Sequence, residues 1–302
     1  MLPKSLEEPI RRALAALGDV SAVTGAKMVA GGCINNGMQL STHQSHYFVK
    51  WNNLPLPGMF EAEALGLKYM RETDTVRVPQ VLAVGARTDD HPAFLLLEWV
   101  EAGVSKRSSE KQHELGQQVA LMHRCRPREG ACGFGLEINN YIGSSEQRND
   151  WTINWIRFFG EQRLAFQCKL AVKNGLMPAG RRKKLDRLIE RLDDILGVHQ
   201  PRQAALLHGD LWGGNVIPGP DGLVLIDPAV YYGDREAELA FTELFGGFTA
   251  EFYQGYEETY ALDSGYSQRR DVYNLYHLLN HLNLFGEGYG SQVDGILRRY
   301  TG

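Results

Sequence analysis

At 302 residues the chain is long for one hydrophobic core, so two lobes or two domains are expected. A formal charge of −4 leaves no basic surplus, which argues against nucleic acid and anionic membrane as partners, and 43% hydrophobic with 23% charged residues is ordinary for a soluble globular protein. No apolar run approaches the ~20 residues of a transmembrane helix, and Met1–Pro9 carries acidic residues without a signal-peptide core, so a cytoplasmic location is expected.

Leu6, Ile10, Leu14 and Leu17 share one helical face, predicting an amphipathic helix over 6–17. Strand-like pieces follow at 26–29, 37–40 and 46–50, with the glycine-containing stretch Gly31-Gly32-Cys33-Ile34-Asn35-Asn36-Gly37 between the first two. A turn-rich segment, 52–58, leads into a helix from about Phe60 to Glu72, and 81–84 and 94–98 read as two more strands. Residues 1–101 therefore read as a sheet of about five strands with one interposed helix. Beyond Glu101 the texture is helical. Leu115, Val119 and Met122 mark one helix face, Trp151, Trp155, Phe158 and Gln162 a second, Leu185 to Ile195 a third, and Val272 to Leu282 a fourth. The boundary is placed near 100–105, giving a second lobe over 102–302.

The most informative stretch is Leu206-Leu207-His208-Gly209-Asp210-Leu211-Trp212-Gly213-Gly214-Asn215, followed by Leu223-Val224-Leu225-Ile226-Asp227-Pro228. An Asp five residues before an Asn, then a second Asp closing an apolar strand, is the spacing of a kinase catalytic loop. Asp210 is the candidate catalytic base, and Asn215 with Asp227 are the candidate magnesium ligands, hard oxygen donors of the kind magnesium prefers. Taken singly, each could instead be a turn or capping residue. His208 is expected to brace the loop. Trp212 could cover a sugar face of the acceptor or belong to the core. Asp234, Glu236 and Glu238 suit a helix start, where acids complement the dipole, or else an acidic rim for an acceptor carrying an amine. His-Gly-Asp in place of His-Arg-Asp, and Asp-Pro-Ala in place of Asp-Phe-Gly, point to small-molecule kinases. The short run from Asp227 to Asp234 leaves no room for a phosphorylated activation loop, which disfavours a protein kinase.

The nucleotide side then follows. Lys50 closes its strand where it would reach the α- and β-phosphates of ATP and pair with a helix carboxylate. Glu63 lies on the side of Leu67 and Met70 and should face inward, with Glu61 the alternative and a solvated surface lysine the plainer reading. Backbone N–H groups at Gly31 and Gly32 could cradle phosphate, with Cys33 and Asn35 in the same loop, although any hairpin uses paired glycines. Residues 94–100, including Glu98 and Val100, would hold adenine through backbone groups. Cys33, near a site that attracts anions, is a candidate redox switch or a plain loop residue. Cys125, Cys132 and Cys168 read as packing residues, and no Cys-x-x-Cys pair suggests zinc.

Taken together, Gly31 to Asn35, Phe48-Val49-Lys50, Met59 to Leu67, Asn139-Asn140-Tyr141-Ile142-Gly143, His208 to Asn215 and Asp227 to Glu236 resemble the fructosamine kinase (ketosamine 3-kinase) family, relatives of aminoglycoside phosphotransferases. The resemblance spans nearly the whole chain. It implies an α+β, protein-kinase-like two-lobe fold with an antiparallel N-lobe sheet, and ATP with Mg2+. It also implies phosphorylation of the 3-hydroxyl of free or protein-bound ketosamines, fructosamine or ribulosamine, whose unstable product releases the amine. In that family a phosphate-loop cysteine is linked to redox-sensitive dimers, and Cys33 matches its position, so a monomer or a redox-dependent homodimer is implied. The rivals are an aminoglycoside- or choline-type alcohol kinase, with the same ATP machinery, and a redox-sensing nucleotide-binding module with little catalysis. Intact Lys50, Asp210, Asn215 and Asp227 argue against the last.

Overall fold

The computed structural model describes residues 2–29, 34–54, 56–197 and 203–302, so the expectations placed on Gly31, Gly32 and Cys33 lie outside the described residues. Helix α1 (Lys4–Ala16) buries Leu6, Ile10 and Leu14. Leu17, expected on the same face, is its C-cap and is exposed, because the helix ends there in a tightened turn onto Ala13 and Leu14 carbonyls. Strands β1 (Val23–Met28), β2 (Asn36–Thr42) and β3 (His46–Asn52), helix α2 (Met59–Glu72), and strands β4 (Val81–Gly85) and β5 (Ala93–Glu98) follow. The five strands form one antiparallel sheet in the order β1-β2-β3-β5-β4. The α1 face packs with Met38, Leu40, Val49 and Leu96 into a core of its own. Phe60, Leu67 and Met70 of α2 join Leu95 and Leu97 of β5 in the larger core that continues into the helical part. Period-two side chains on β5 thus serve both cores.

The rest of the chain is mostly helical. It runs through α3 (Ser109–Arg124), hairpin β6 (Asn140–Ile142) and β7 (Ser145–Gln147), then α4 (Trp155–Phe158), a π-helical turn (Phe159–Ala165) and α5 (Phe166–Lys173). Helices α6 (Ala179–Glu190) and α7 (Leu192–Leu196) lead to β8 (Ala205–Leu207), a 3-10 turn (Gly213–Asn215), hairpin β9 (Val216–Pro218) and β10 (Leu223–Leu225), and β11 (Tyr231–Gly233). Helices α8 (Arg235–Leu244), α9 (Ala250–Thr259) and α10 (Tyr266–Phe285), a 3-10 turn (Glu287–Tyr289) and α11 (Gly290–Thr301) complete it. None of the helices among the described residues is long and apolar enough to cross a membrane.

Three differences from the periodicity are instructive. The helix expected to contain both Leu185 and Ile195 is broken at Arg191, whose backbone leaves the helical region (φ −105°, ψ 9°). Trp151 lies before the next helix, because Asn154 caps α4 by accepting from the Arg157 N–H at 2.9 Å; its ring stacks on Tyr232 instead. Helix α9 was not anticipated. Its buried face, Phe252, Gly255 and Tyr256, seats against α3, where a side chain at Gly116 would lie 1.9 Å from the Phe252 carbonyl.

Candidate active site

The short strand β8 pairs with β11, setting Leu207 opposite Tyr231, and delivers the loop that begins at His208. His208 is fully buried. Its Nδ1 accepts from the Asp210 N–H at 3.2 Å, and its Nε2–H donates to the Ile226 carbonyl at 3.0 Å, so the ring ties the catalytic loop to the end of β10. Burial pushes its pKa down, which suits this neutral bracing role. Gly209 adopts φ 80°, and a Cβ there would sit 2.0 Å from the Ala229 carbonyl. Both facts exclude a side chain between His208 and Asp210.

The loop is held from behind by Glu238 of α8. Its carboxylate accepts from Gly209 N–H at 2.7 Å, His208 N–H at 3.1 Å and His123 Nε2 at 2.9 Å. Burial opposes the charge, but the hydrogen bond and attraction of His123 outweigh it and lower the pKa. Asp234 caps α8 by accepting from Glu236 N–H at 3.0 Å and takes the Tyr273 hydroxyl at 2.8 Å, while Glu236 is clasped by Arg269 at 2.6 and 2.7 Å. All three acids are buried. This corrects the expectation of an acidic acceptor rim at Asp234: the acids are consumed by internal partners, and Asp234 is a helix cap.

Five polar side chains meet at the loop. Asn215 donates from Nδ2 to the Asp210 carbonyl at 2.8 Å and to its Oδ2 at 3.1 Å, which leaves the amide oxygen for a cation. Asp227 follows β10 with a left-handed backbone, φ 55°, a strained geometry for a residue with a side chain. Its Oδ1 accepts from Lys50 Nζ at 2.9 Å. Lys50 also donates to both carboxylate oxygens of Glu63, at 2.9 and 2.8 Å, and Glu61 is exposed on the outer side of α2. Burial opposes the Lys50 charge, yet the carboxylates of Asp227 and Glu63 hold it protonated well above the usual lysine range. Asp210 is pushed up to about 7, by burial first; Asp227 and Glu238 add to the rise, and the Asn215 hydrogen bond and Lys50 oppose it.

The structure thus brings Asp210, Asn215, Asp227, Lys50 and Glu63 together. Asn35 accepts from Asn52 Nδ2 at 2.7 Å, which ties the end of the glycine loop to β3. The Glu98 side chain pairs with Arg77, and Val100 flanks Gly219 of the β9–β10 hairpin; both are side-chain contacts and leave the expected backbone hinge as it was. Trp212 is 39% exposed, so it is no core residue, and its ring folds over Gly214.

Several supporting residues carried no local signal. His123 is a buried residue on α3, joined to Glu238 and, at 2.8 Å, to the Tyr256 hydroxyl. Asn140 donates to the Val230 carbonyl at 2.8 Å and Gln147 to the Ala229 carbonyl at 3.0 Å, so the β6–β7 hairpin grips the segment after Asp227. Asn140 lies inside the Asn139–Gly143 motif, which was the one available hint. Among the described residues no three His, Cys, Asp or Glu side chains converge as a metal cage. Magnesium needs none here: one carboxylate and one amide oxygen, with phosphates and water, meet its demand for hard oxygen donors, and Asp227 with Asn215 fit that role.

The family model described as fructosamine kinase matches residues 6–301. A probable ketoamine kinase of Synechocystis is 43% identical over 274 residues, 90% of this chain and 89% of the relative. A chloroplastic protein-ribulosamine 3-kinase of Oryza sativa is 40% identical over 297 residues, 97% of this chain and 84% of the relative. Among solved structures, a Haemophilus somnus protein described as a candidate fructosamine-3-kinase superposes with a TM-score of 0.85 at 29% identity, covering 97% of each chain. The aminoglycoside phosphotransferase APH(4)-Ia superposes at 0.64 with 15% identity over 99% of each chain, a likeness of the protein-kinase-like fold alone. A match of this extent, with the lysine, carboxylate and amide groups of a phosphoryl-transfer cleft already in contact, means that the chain belongs to the fructosamine kinase family and is an ATP-dependent phosphotransferase.

Proposed function

We propose that the protein transfers the γ-phosphoryl group of ATP to the 3-hydroxyl of ketosamines, sugars joined through a ketose carbon to an amine. The acceptor is fructosamine or ribulosamine, free or on a protein. Asp210 accepts the hydroxyl proton as the oxygen bonds to phosphorus and ADP leaves with the β–γ bridging oxygen. A carboxylate with a pKa near neutrality suits a base that must be free before the reaction and must hold a proton after it. Lys50, fixed by Glu63, meets the α- and β-phosphates. Asn215 and Asp227 would hold magnesium, which offsets phosphate charge when bound. Trp212 offers an exposed ring to the sugar. The resulting ketosamine 3-phosphate is unstable and releases the amine, which makes the reaction a route to deglycation. We place this activity in the cytoplasm.

The observation that carries this reading is the contact of Asp210 with Asn215, beside an Asp227 already paired to Lys50. The test is ATP consumption with ribulose-lysine, fructose-lysine, choline, free sugars and an aminoglycoside, under reducing conditions. Turnover is expected on a ketosamine and is expected to fall about 10³-fold in Asp210→Asn, the loss of a base together with its charge. Turnover confined to choline or the aminoglycoside, or kept in the variant, would sink the proposal.

A further inference from the structure

A second lysine reaches the catalytic loop, and no catalytic motif accounts for it. Lys106 lies in the segment between β5 and α3, and its ammonium donates to the carbonyl of Gly213, between Trp212 and Asn215 in the catalytic loop. The approach is built on both sides. Gly103 packs so closely on the β9–β10 hairpin that a Cβ would lie 1.9 Å from the Gly219 carbonyl, which also accepts from Val104 N–H at 3.0 Å. The Lys106 carbonyl accepts from Gln112 Nε2 at 2.7 Å, and Gln112 is 1% exposed. The Oε1 of Gln112 in turn receives the Thr249 N–H at 3.4 Å, so the loop before α9 is fastened to the same point. That loop meets the catalytic turn directly: a Cβ on Gly213 would lie 2.8 Å from Gly247 Cα.

Lys106 is therefore a held side chain, half-buried, bonded to the residue that follows the exposed Trp212. An ammonium has three donors, and one is spent on Gly213. Its charge has no carboxylate partner among the described residues; burial and the neighbouring Arg107 lower its pKa, and nothing opposing is present. This contrasts with Lys50, which is shared by two carboxylates. A half-buried ammonium with donors to spare and no counter-charge is a seat for an anionic oxygen group.

We propose that Lys106 binds an anionic oxygen group in the loaded cleft, favouring a carboxylate carried by the acceptor close to the glycated nitrogen. The preferred substrates would then be ketosamines of free α-amino acids and of peptides whose carboxylate is near. The same chemistry could be supplied by a nucleotide phosphate. The inference rests on the ketosamine reading above and deepens it.

The test compares fructose-glycine, which carries a carboxylate, with fructose-glycinamide, which does not, in wild type, Lys106→Met and Lys106→Arg. The readout is the ratio of kcat/KM for the two acceptors, in which any common loss from the broken Gly213 contact cancels. The wild type is expected to favour the acid about tenfold, the methionine variant to bring the ratio near one, and the arginine variant to restore it. A KM for ATP raised about tenfold in Lys106→Met with both acceptors, at an unchanged ratio, would assign the anion to the nucleotide. If neither the ratio nor the KM for ATP moves, Lys106 is only a strut for Gly213 and the proposal is overturned. Should the wild type phosphorylate no ketosamine, the functional reading fails by itself. Calorimetric titration of ADP with magnesium and of inorganic phosphate then judges the anion site alone, and equal affinities in wild type and Lys106→Met overturn it.

Discussion

On the nucleotide side of the cleft, Lys50 stands 2.8 Å from Glu63 and 2.9 Å from Asp227, and Asp227 holds a left-handed backbone to be there. On the side proposed for the acceptor, Trp212 is exposed, Lys106 touches a backbone carbonyl and, among the described residues, no carboxylate, and glycines Gly213 and Gly247 meet face to face. The first region is organised by charges that satisfy one another before any ligand arrives. The second is organised by close backbone approach, with the polar and aromatic ends left over. In the proposed reading, a region whose charges are already paired awaits the nucleotide and takes little part in the choice of acceptor. Selectivity then rests on the region whose groups are unspent.

Breaking the paired region should have the largest effect. Lys50→Met leaves two carboxylates facing each other, and kcat is expected to fall about 10³-fold while the KM for the acceptor changes little. Steady-state kinetics reading a loss below tenfold would mean that the pairing is not what readies this side. Backbone approach can be probed separately. Gly209→Ala should lower unfolding free energy by about 3 kcal/mol, through strain at φ 80° and the clash with the Ala229 carbonyl. Gly180→Ala in α6, which meets nothing within 4 Å, should raise it by a few tenths of a kcal/mol. Denaturant titration of both variants checks the contrast, and similar effects would remove it.

The pH dependence tests where the two regions meet, at Asp210. Its pKa of about 7 means the carboxylate is lost to protonation below neutrality. The kcat/KM for ATP should therefore fall about tenfold per unit on the acid side of pH 7 and level off above it. At saturating nucleotide and magnesium the limb should move to lower pH, since a bound cation favours the carboxylate. A flat profile from pH 5 to 8 would show that another group takes the proton. In stability the sign is opposite. The raised pKa makes folding bind a proton, so this contribution is complete below the unfolded value of about 3.9 and is lost as pH rises through 7. The smallest effect on catalysis belongs to Trp212→Ala: a KM for the acceptor up about fivefold, with the KM for ATP unmoved. An equal rise in both would remove Trp212 from the acceptor side.

This division also explains what could be read in advance. Asp210, Asn215 and Asp227 announce themselves because two lie on one loop and the third ends an apolar strand, so their spacing encodes their geometry. Choosing Glu63 over Glu61 needed only helical periodicity, since Leu67 and Met70 mark the buried face of α2. His123 could not be found that way. It reaches Glu238 across 115 residues, from a helix whose buried members are, Gln112 apart, packing residues. The acids of α8 left two readings open for a related reason: a run of Asp and Glu at a helix start looks the same whether solvent or a buried Arg269 receives it. Lys106 gave no sign, because its partner is a backbone carbonyl, which any sequence supplies.

The seat of α2 carries a consequence for how the enzyme is governed. Gly66 lies so close to the segment after Asp227 that a Cβ would come within 2.9 Å of Val230 Cγ2 and 3.7 Å of Pro228 Cγ. The helix backbone thus rests directly on side chains of the segment after Asp227, one turn along from Glu63. Swinging the helix outward would open an unfilled gap between buried surfaces and part Lys50 from its partner in one movement. The device by which a kinase is idled, displacing this helix, is thereby costly for this chain. On the proposed function, such a catalyst would be engaged once it has folded, its output following the arrival of nucleotide and acceptor, much as a turnstile follows the crowd.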